Sequence, residues 1–244
     1  MSAPDAVLLI HGFAGTPHDV RPISDALERK GIRHRAITLP GHDTSPREMK
    51  QADMDGWLDA ARSGYASLAA GYDRVAVVGF SMGGALSLIV ASENPVCKLV
   101  MLNPYFRVRP RWYYFGQPEA WARRLESVLA YVKKPRVGFI NDRDGRRRYG
   151  AHPQYRFIPT KCVKHLVNIG KQAMAQAPQV QADALWFHST GDQVADYAFS
   201  RKAFDRIAST NKEFVTLSRS NHIVLYDHDA IDVTNRAMVF LLEA

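Results

Sequence analysis

Brief, mostly apolar runs alternate along this chain with longer amphipathic stretches, and that alternation restricts the fold more than any single motif. The runs lie at 6–10 (AVLLI), 36–39 (AITL), 75–80 (VAVVGF), 99–102 (LVML), 184–188 (ALWFH) and 214–217 (FVTL). Runs this short and this apolar suit strands covered on both faces, as in a parallel sheet. Helix-length stretches separate them, near 19–30, 54–70, 82–93, 197–209 and 230–243. The rhythm predicts an α/β protein with an open, doubly wound, mostly parallel sheet.

The rhythm breaks once. Between 104 and 183 proline, arginine and aromatic residues crowd together without strand-like runs, although helical patterns recur near 119–131 and 160–175. With 244 residues the chain accommodates one large core and a modest insertion. The expected organisation is therefore a core of residues 1–103 and 184–244, with 104–183 inserted as a cap. Within the insertion, Trp112, Tyr113, Tyr114 and Phe115 are expected to form its own small core.

Charge follows the same division. From 104 to 171 there are sixteen Lys or Arg against four Asp or Glu, so this segment carries +12 while the whole chain carries +8. Such a segment suits an anionic lipid surface or anionic substrates. No nucleic-acid-binding motif accompanies it, and a run of like charge is more simply a solvated face. No apolar run approaches a membrane span, and no basic leader precedes the first strand, so a cytoplasmic location is expected. Cys97 and Cys162 have neither metal-ligand nor redox spacing and are expected to be buried free thiols.

One polar residue interrupts the apolar pattern at a telling place. In VVGFSMGGALSL the strand ending at Phe80 runs into Ser81, and a helix starts directly after it. Gly79-Phe80-Ser81-Met82-Gly83 fits G-x-S-x-G, a sharp strand-to-helix turn that lifts the serine hydroxyl above the sheet edge. A serine needs a base to take its proton and an acid to orient that base. On this architecture they follow in the order Ser, Asp or Glu, His, after late strands. Asp192 follows the strand at 184–188, and His222 follows the strand at 214–217. Asp196 is the rival acid, but its place before Tyr197 suits a helix start. Negative charge developing on a substrate carbonyl needs amide donors. The N–H of Met82, next to the serine, and that of Phe13, in the loop HGFAG after the first strand, are the candidates. His11 in that loop is read as structural.

Together LLIHGFAGTPHDVRPISDAL, LPGHDTSP, GFSMGG, STGDQVAD and SNHIVLYD resemble the α/β-hydrolases, specifically the small bacterial carboxylesterases and monoacylglycerol lipases. The resemblance covers 7–103 and 184–228. It implies Ser81 as nucleophile, His222 as general base and acid, Asp192 as orienting carboxylate and Phe13 and Met82 as oxyanion donors, with no cofactor and no metal. It also implies a small cap at the place of the insertion. Almost no chain precedes the first strand, so the antiparallel strands that often open this sheet should be missing, leaving about six. Haloalkane dehalogenases and epoxide hydrolases are excluded, because they need an Asp where Ser81 stands.

The expected function is hydrolysis of a small-molecule carboxylic ester, a monoacylglycerol or another short or medium acyl ester, through an acyl-enzyme. A thioesterase, C–C hydrolase or peptidase would use the same three residues. A non-catalytic ligand-binding member of the fold is the reading from another class.

Overall fold

The computed structural model describes residues 3–110, 130–133, 139–150, 155 and 157–243. Among them, β1 (Ala6–Ile10), β2 (Arg33–Ile37), β3 (Val75–Phe80), β4 (Lys98–Leu102), β7 (Asp183–Ser189) and β8 (Lys212–Leu217) form a six-stranded sheet in the order β2-β1-β3-β4-β7-β8. Every neighbouring pair in it is parallel. This is the expected α/β-hydrolase sheet, and β1 and β3 have the bounds read from the sequence.

Apolarity on both sides of the strands has a direct packing cause. Alternate residues of β1 serve opposite faces: Ala6, Leu8 and Ile10 join one buried cluster, Val7 and Leu9 the other. On the first face lie α3 (Met54–Ala69) and α4 (Met82–Glu93), and on the second α1 (Arg21–Arg29) and α8 (Ala230–Leu242). Residues Met82 to Ala91 of α4 are all buried. The helix is apolar all round rather than amphipathic, as expected of one enclosed by neighbours.

β2 departs from the sequence reading. It starts at Arg33 rather than 36, because its polar residues are tolerated at the edge of the sheet, where only β1 pairs with it. Charged side chains on an edge strand also discourage pairing with another chain.

Between β4 and β7 the described residues include β5 (Tyr131–Lys133), α5 (Arg143–Gly150), β6 (Phe157–Pro159) and α6 (Thr160–Gln176). β5 and β6 pair antiparallel, which corrects the expectation of no strands there. Three residues are too few to show an alternating pattern. The helix read at 160–175 is α6, and its buried residues Cys162, Leu166, Ile169 and Ala173 join the cluster that also holds much of α4. It therefore covers the sheet as a crossover helix would. Most of the helix expected at 119–131, and the aromatic run 112–115, lie outside the described residues. Cys162 is buried but Cys97 only half-buried, and both are free. No helix among the described residues is long and apolar enough to cross a membrane. The remaining α-helices among the described residues are the short α2 (Pro46–Met49) and α7 (Tyr197–Arg206).

Candidate active site

The turn between β3 and α4 is as tight as the glycine spacing implies. A Cβ on Gly79 would lie 2.4 Å from the Gly83 carbonyl oxygen, and one on Gly83 2.2 Å from that of Ile10. Ser81 between them has φ 53° and ψ −119°. That backbone conformation is costly for an L-residue with a side chain, by about 1–3 kcal/mol. Surrounding bonds hold it there: the Ser81 N–H donates to Leu102 O at 3.0 Å, and its carbonyl accepts from Tyr105 N–H at 3.0 Å.

Two loops from the far half of the chain meet this serine. Ser81 Oγ lies 2.9 Å from His222 Nε2, and His222 Nδ1 lies 2.8 Å from Asp192 Oδ2. All three side chains are buried. The Asp192 Oδ1 atom accepts from the N–H groups of Val194, at 2.7 Å, and Ala195, at 3.0 Å. With its carboxylate so occupied, the His222 ring is presented to Ser81 in one orientation. Asp196 stands elsewhere. It caps α7, accepting from the N–H groups of Ala198, at 2.9 Å, and Phe199, at 3.3 Å.

Met82 opens α4, so its N–H is one that the helix leaves without an internal acceptor. Phe13 sits in the loop after β1, with its ring edge-on to Trp57 at 5.7 Å and to His42 at 6.2 Å. His11 is structural, as read: its Nε2 accepts from Leu39 N–H at 3.1 Å, leaving Nδ1 to donate to Gly12 O at 2.8 Å. Burial, and secondarily the nearby His42, lower its pKa to about 3, so the ring is neutral.

Residues 2–229 match the serine aminopeptidase, S33 family. The chain belongs to it. This α/β-hydrolase is 34% identical to a carboxylesterase of Bacillus subtilis (strain 168), over 92% of the chain and 87% of the relative. It is 29% identical to a thermostable monoacylglycerol lipase of Bacillus sp. (strain H-257), over 98% of the chain and 91% of that relative. Among solved structures it superimposes with a TM-score of 0.88 and 25% identity on one from a study of LipS and LipT, two metagenome-derived lipolytic enzymes, covering 100% of this chain and 96% of that one.

Electrostatics of the hydrolase site follow from burial and pairing. Burial alone would raise the pKa of Asp192, but the His222 ring and its hydrogen bond outweigh this and hold it below the ordinary carboxylate value. A second imidazole, absent from the sequence reading, stands beside it: His188 Nε2 is 3.5 Å from Asp192 Oδ2. His188 is fully buried near the end of β7, and burial lowers its pKa to about 4. The one clue in the sequence was a histidine inside an apolar strand, four residues before Asp192.

Four further polar residues missed by the sequence reading hold the loops. Asn103, directly after β4, donates through Nδ2 to the carbonyls of Asn221 and His222 and accepts through Oδ1 from Ser189 N–H. Asp227 accepts from the N–H groups of Asn141, Asp142, Asn221 and His228. Asp19 accepts from the N–H of Gly12. Arg109 donates to the carbonyl of Asp192.

Proposed function

We propose that the chain hydrolyses carboxylic esters through an acyl-enzyme, with Ser81 as nucleophile, His222 as general base and acid, and Asp192 as the carboxylate that orients His222. The observation that carries this is the 2.9 Å contact of Ser81 Oγ with His222 Nε2, backed by Asp192 at 2.8 Å on the other ring nitrogen. In the first half-reaction Oγ attacks the ester carbonyl carbon while Nε2 takes the hydroxyl proton. The carbonyl π pair moves to oxygen, where the N–H groups of Met82 and Phe13 are the proposed donors to that charge, each worth about 3–4 kcal/mol. Collapse breaks the bond to the alcohol oxygen, which leaves with the proton from Nε2. Water then repeats the sequence on the acyl-serine, with His222 again passing the proton.

Similarity to a carboxylesterase and a monoacylglycerol lipase favours an acyl ester, of a monoacylglycerol or another short or medium acyl chain. The reading includes a cap inserted after β4, which ends at Leu102; of the expected span 104–183, α6 and Asp183 pack with the sheet and are left out of it. It includes contact with anionic lipid surfaces through the basic residues of that segment, and a cytoplasmic location, which suits the two free cysteines. The intact chain of contacts from Asp192 to Ser81 disfavours an idle, ligand-binding member.

A panel of p-nitrophenyl esters of increasing acyl length, with a monoacylglycerol, an acyl-CoA and an aminoacyl p-nitroanilide, tests the reading. Turnover of oxygen esters that Ser81→Ala abolishes is the expected result, together with labelling of Ser81 by a fluorophosphonate. Activity surviving in Ser81→Ala, or preference for the anilide, would overturn it.

A further inference from the structure

The direction of the Phe13 N–H depends on how residue 12 is held. A trans peptide is planar, so this N–H points opposite to the Gly12 carbonyl in the same plane. That carbonyl accepts from Gly15 N–H at 3.2 Å and lies 2.8 Å from His11 Nδ1. The Gly12 N–H donates to Asp19 Oδ2 at 3.2 Å. The Asp19 carboxylate is buried directly beneath the loop, where a Cβ on Gly15 would stand 1.9 Å from Oδ2. Its other oxygen, Oδ1, accepts from the hydroxyl of Tyr149 at 2.7 Å. Tyr149 is buried and belongs to α5, within the 104–183 segment.

The same short helix is fastened to the other side of the site. The two N–H groups entering α5, of Asn141 and Asp142, bind the Asp227 carboxylate at 2.7 and 2.8 Å, and Asn221 N–H, next to His222, binds it at 2.8 Å. A Cβ on Gly145 would lie 1.7 Å from the Tyr226 carbonyl oxygen, so α5 rests its backbone against the turn that follows His222. One helix thus touches the oxyanion loop through Tyr149 and the histidine loop through Asp227 and Gly145.

We infer that α5 braces the oxyanion loop and the histidine loop in register, and that Tyr149 is a positioning residue acting on the Phe13 amide through Asp19. This rests on the roles proposed above for Ser81, His222 and Phe13. The consequence is kinetic: misplacing a reacting group by about 1 Å costs on the order of 100-fold in rate. Part of that loss is expected when Asp19 loses one of its donors.

Tyr149→Phe removes only the hydroxyl. Tyr226→Phe is the matched control, since its hydroxyl donates to the His18 carbonyl at 2.8 Å in the same aromatic cluster but not to Asp19. Tyr149→Phe should lower kcat on a p-nitrophenyl ester about 10-fold with KM within about twofold. It should weaken a trifluoromethyl ketone, whose serine adduct carries an oxyanion, by a similar factor, and leave the acidic limb of the pH profile in place. Asp19→Asn should act in the same direction. Tyr226→Phe should match wild type in kcat. Amide exchange at Gly12 and Phe13 should quicken in Tyr149→Phe alone. A kcat for Tyr149→Phe near wild type, or an equal fall in Tyr226→Phe, overturns the inference. If wild type shows no Ser81-dependent turnover, the proposed function fails instead; the exchange comparison then decides, and equal exchange in both variants overturns the brace.

Discussion

The Asn103 side chain donates to the His222 carbonyl at 2.7 Å, so the end of a central strand holds the loop of the proposed base directly. Asn103 has φ 42°, a left-handed conformation that asparagine tolerates better than most residues. Asn103→Ala takes one donor from each of the His222 and Asn221 carbonyls, the former keeping Val224 N–H at 3.1 Å, and removes the side-chain acceptor of the buried Ser189 N–H. The expected loss is about 1–3 kcal/mol for each group left unsatisfied. Urea unfolding should show it, and kcat should fall with it because the His222 loop is no longer held.

Asp192, the proposed orienting acid, differs from Asp196, a helix cap. Asp192→Asn should reduce kcat by about 10⁴ if the imidazole is left in the wrong tautomer. Asp196→Asn replaces one good N-cap residue with another and should change turnover only a few fold, with stability altered by less than about 0.5 kcal/mol. Steady-state kinetics with circular dichroism on both variants checks the ranking; the reverse order would reassign the acid.

Strain at Ser81 predicts a trade of activity for stability. Glycine adopts φ 53°, ψ −119° freely, relieving about 1–3 kcal/mol, against a loss of about 0.5–1 kcal/mol from the greater freedom of glycine in the unfolded chain. Both Ser81→Gly and Ser81→Ala should be inactive. Calorimetry should place the Tm of Ser81→Gly above that of Ser81→Ala.

Acid should destabilise the fold through two buried imidazoles. Histidine in an unfolded chain titrates near its ordinary value of about 6.5, whereas burial, the largest cause in each, lowers His11 to about 3 and His188 to about 4. Within those windows the unfolded chain binds protons that the folded chain does not. Stability is therefore fully present above pH 6.5 and is lost as pH falls, at most about 1.4 kcal/mol per pH unit for each group. Chemical denaturation from pH 7 to 4 should show the slope. His188→Asn, whatever its effect at neutral pH, should flatten it by one proton.

Arg147 and Arg148 are exposed on α5, each near one carboxylate, Asp144 and Asp142 respectively. If the basic segment meets anionic lipid, a monoacylglycerol should be hydrolysed faster in anionic than in neutral vesicles, and salt should abolish the difference. Changing both arginines to serine should shrink the preference while leaving turnover of a soluble p-nitrophenyl ester unchanged. Equal rates in both vesicles would sink this part of the function.

Short-range pattern carries much of this fold. Unbroken apolarity marks β1 and β3 because both their faces are covered, and glycine spacing marks the Ser81 turn because no larger residue fits at Gly79 or Gly83. Asp192 and His222 stand out because each follows a strand in the expected chain order. The start of β2 falls three residues earlier than its apolar run suggests, since an edge strand loses little by carrying polar side chains and so lacks the apolar signature.

Burial of polar groups is what the chain order could not reveal. Asp19 reads only as the first residue of the amphipathic stretch at 19–30, yet Tyr149, 130 positions later, covers it and donates to it. His188 reads as a strand residue until the fold brings Asp192 back to within 3.5 Å. Local periodicity and turn chemistry depend on neighbours a few residues apart, so the sequence by itself determined the strand-helix rhythm, the serine turn and the order of its partners. Which polar side chains lose water, and which distant donors then replace it, depends on surfaces that meet only when the sheet and the 104–183 segment pack together. The tertiary structure alone therefore decided that Asp19, Asn103, His188 and Asp227 surround the site.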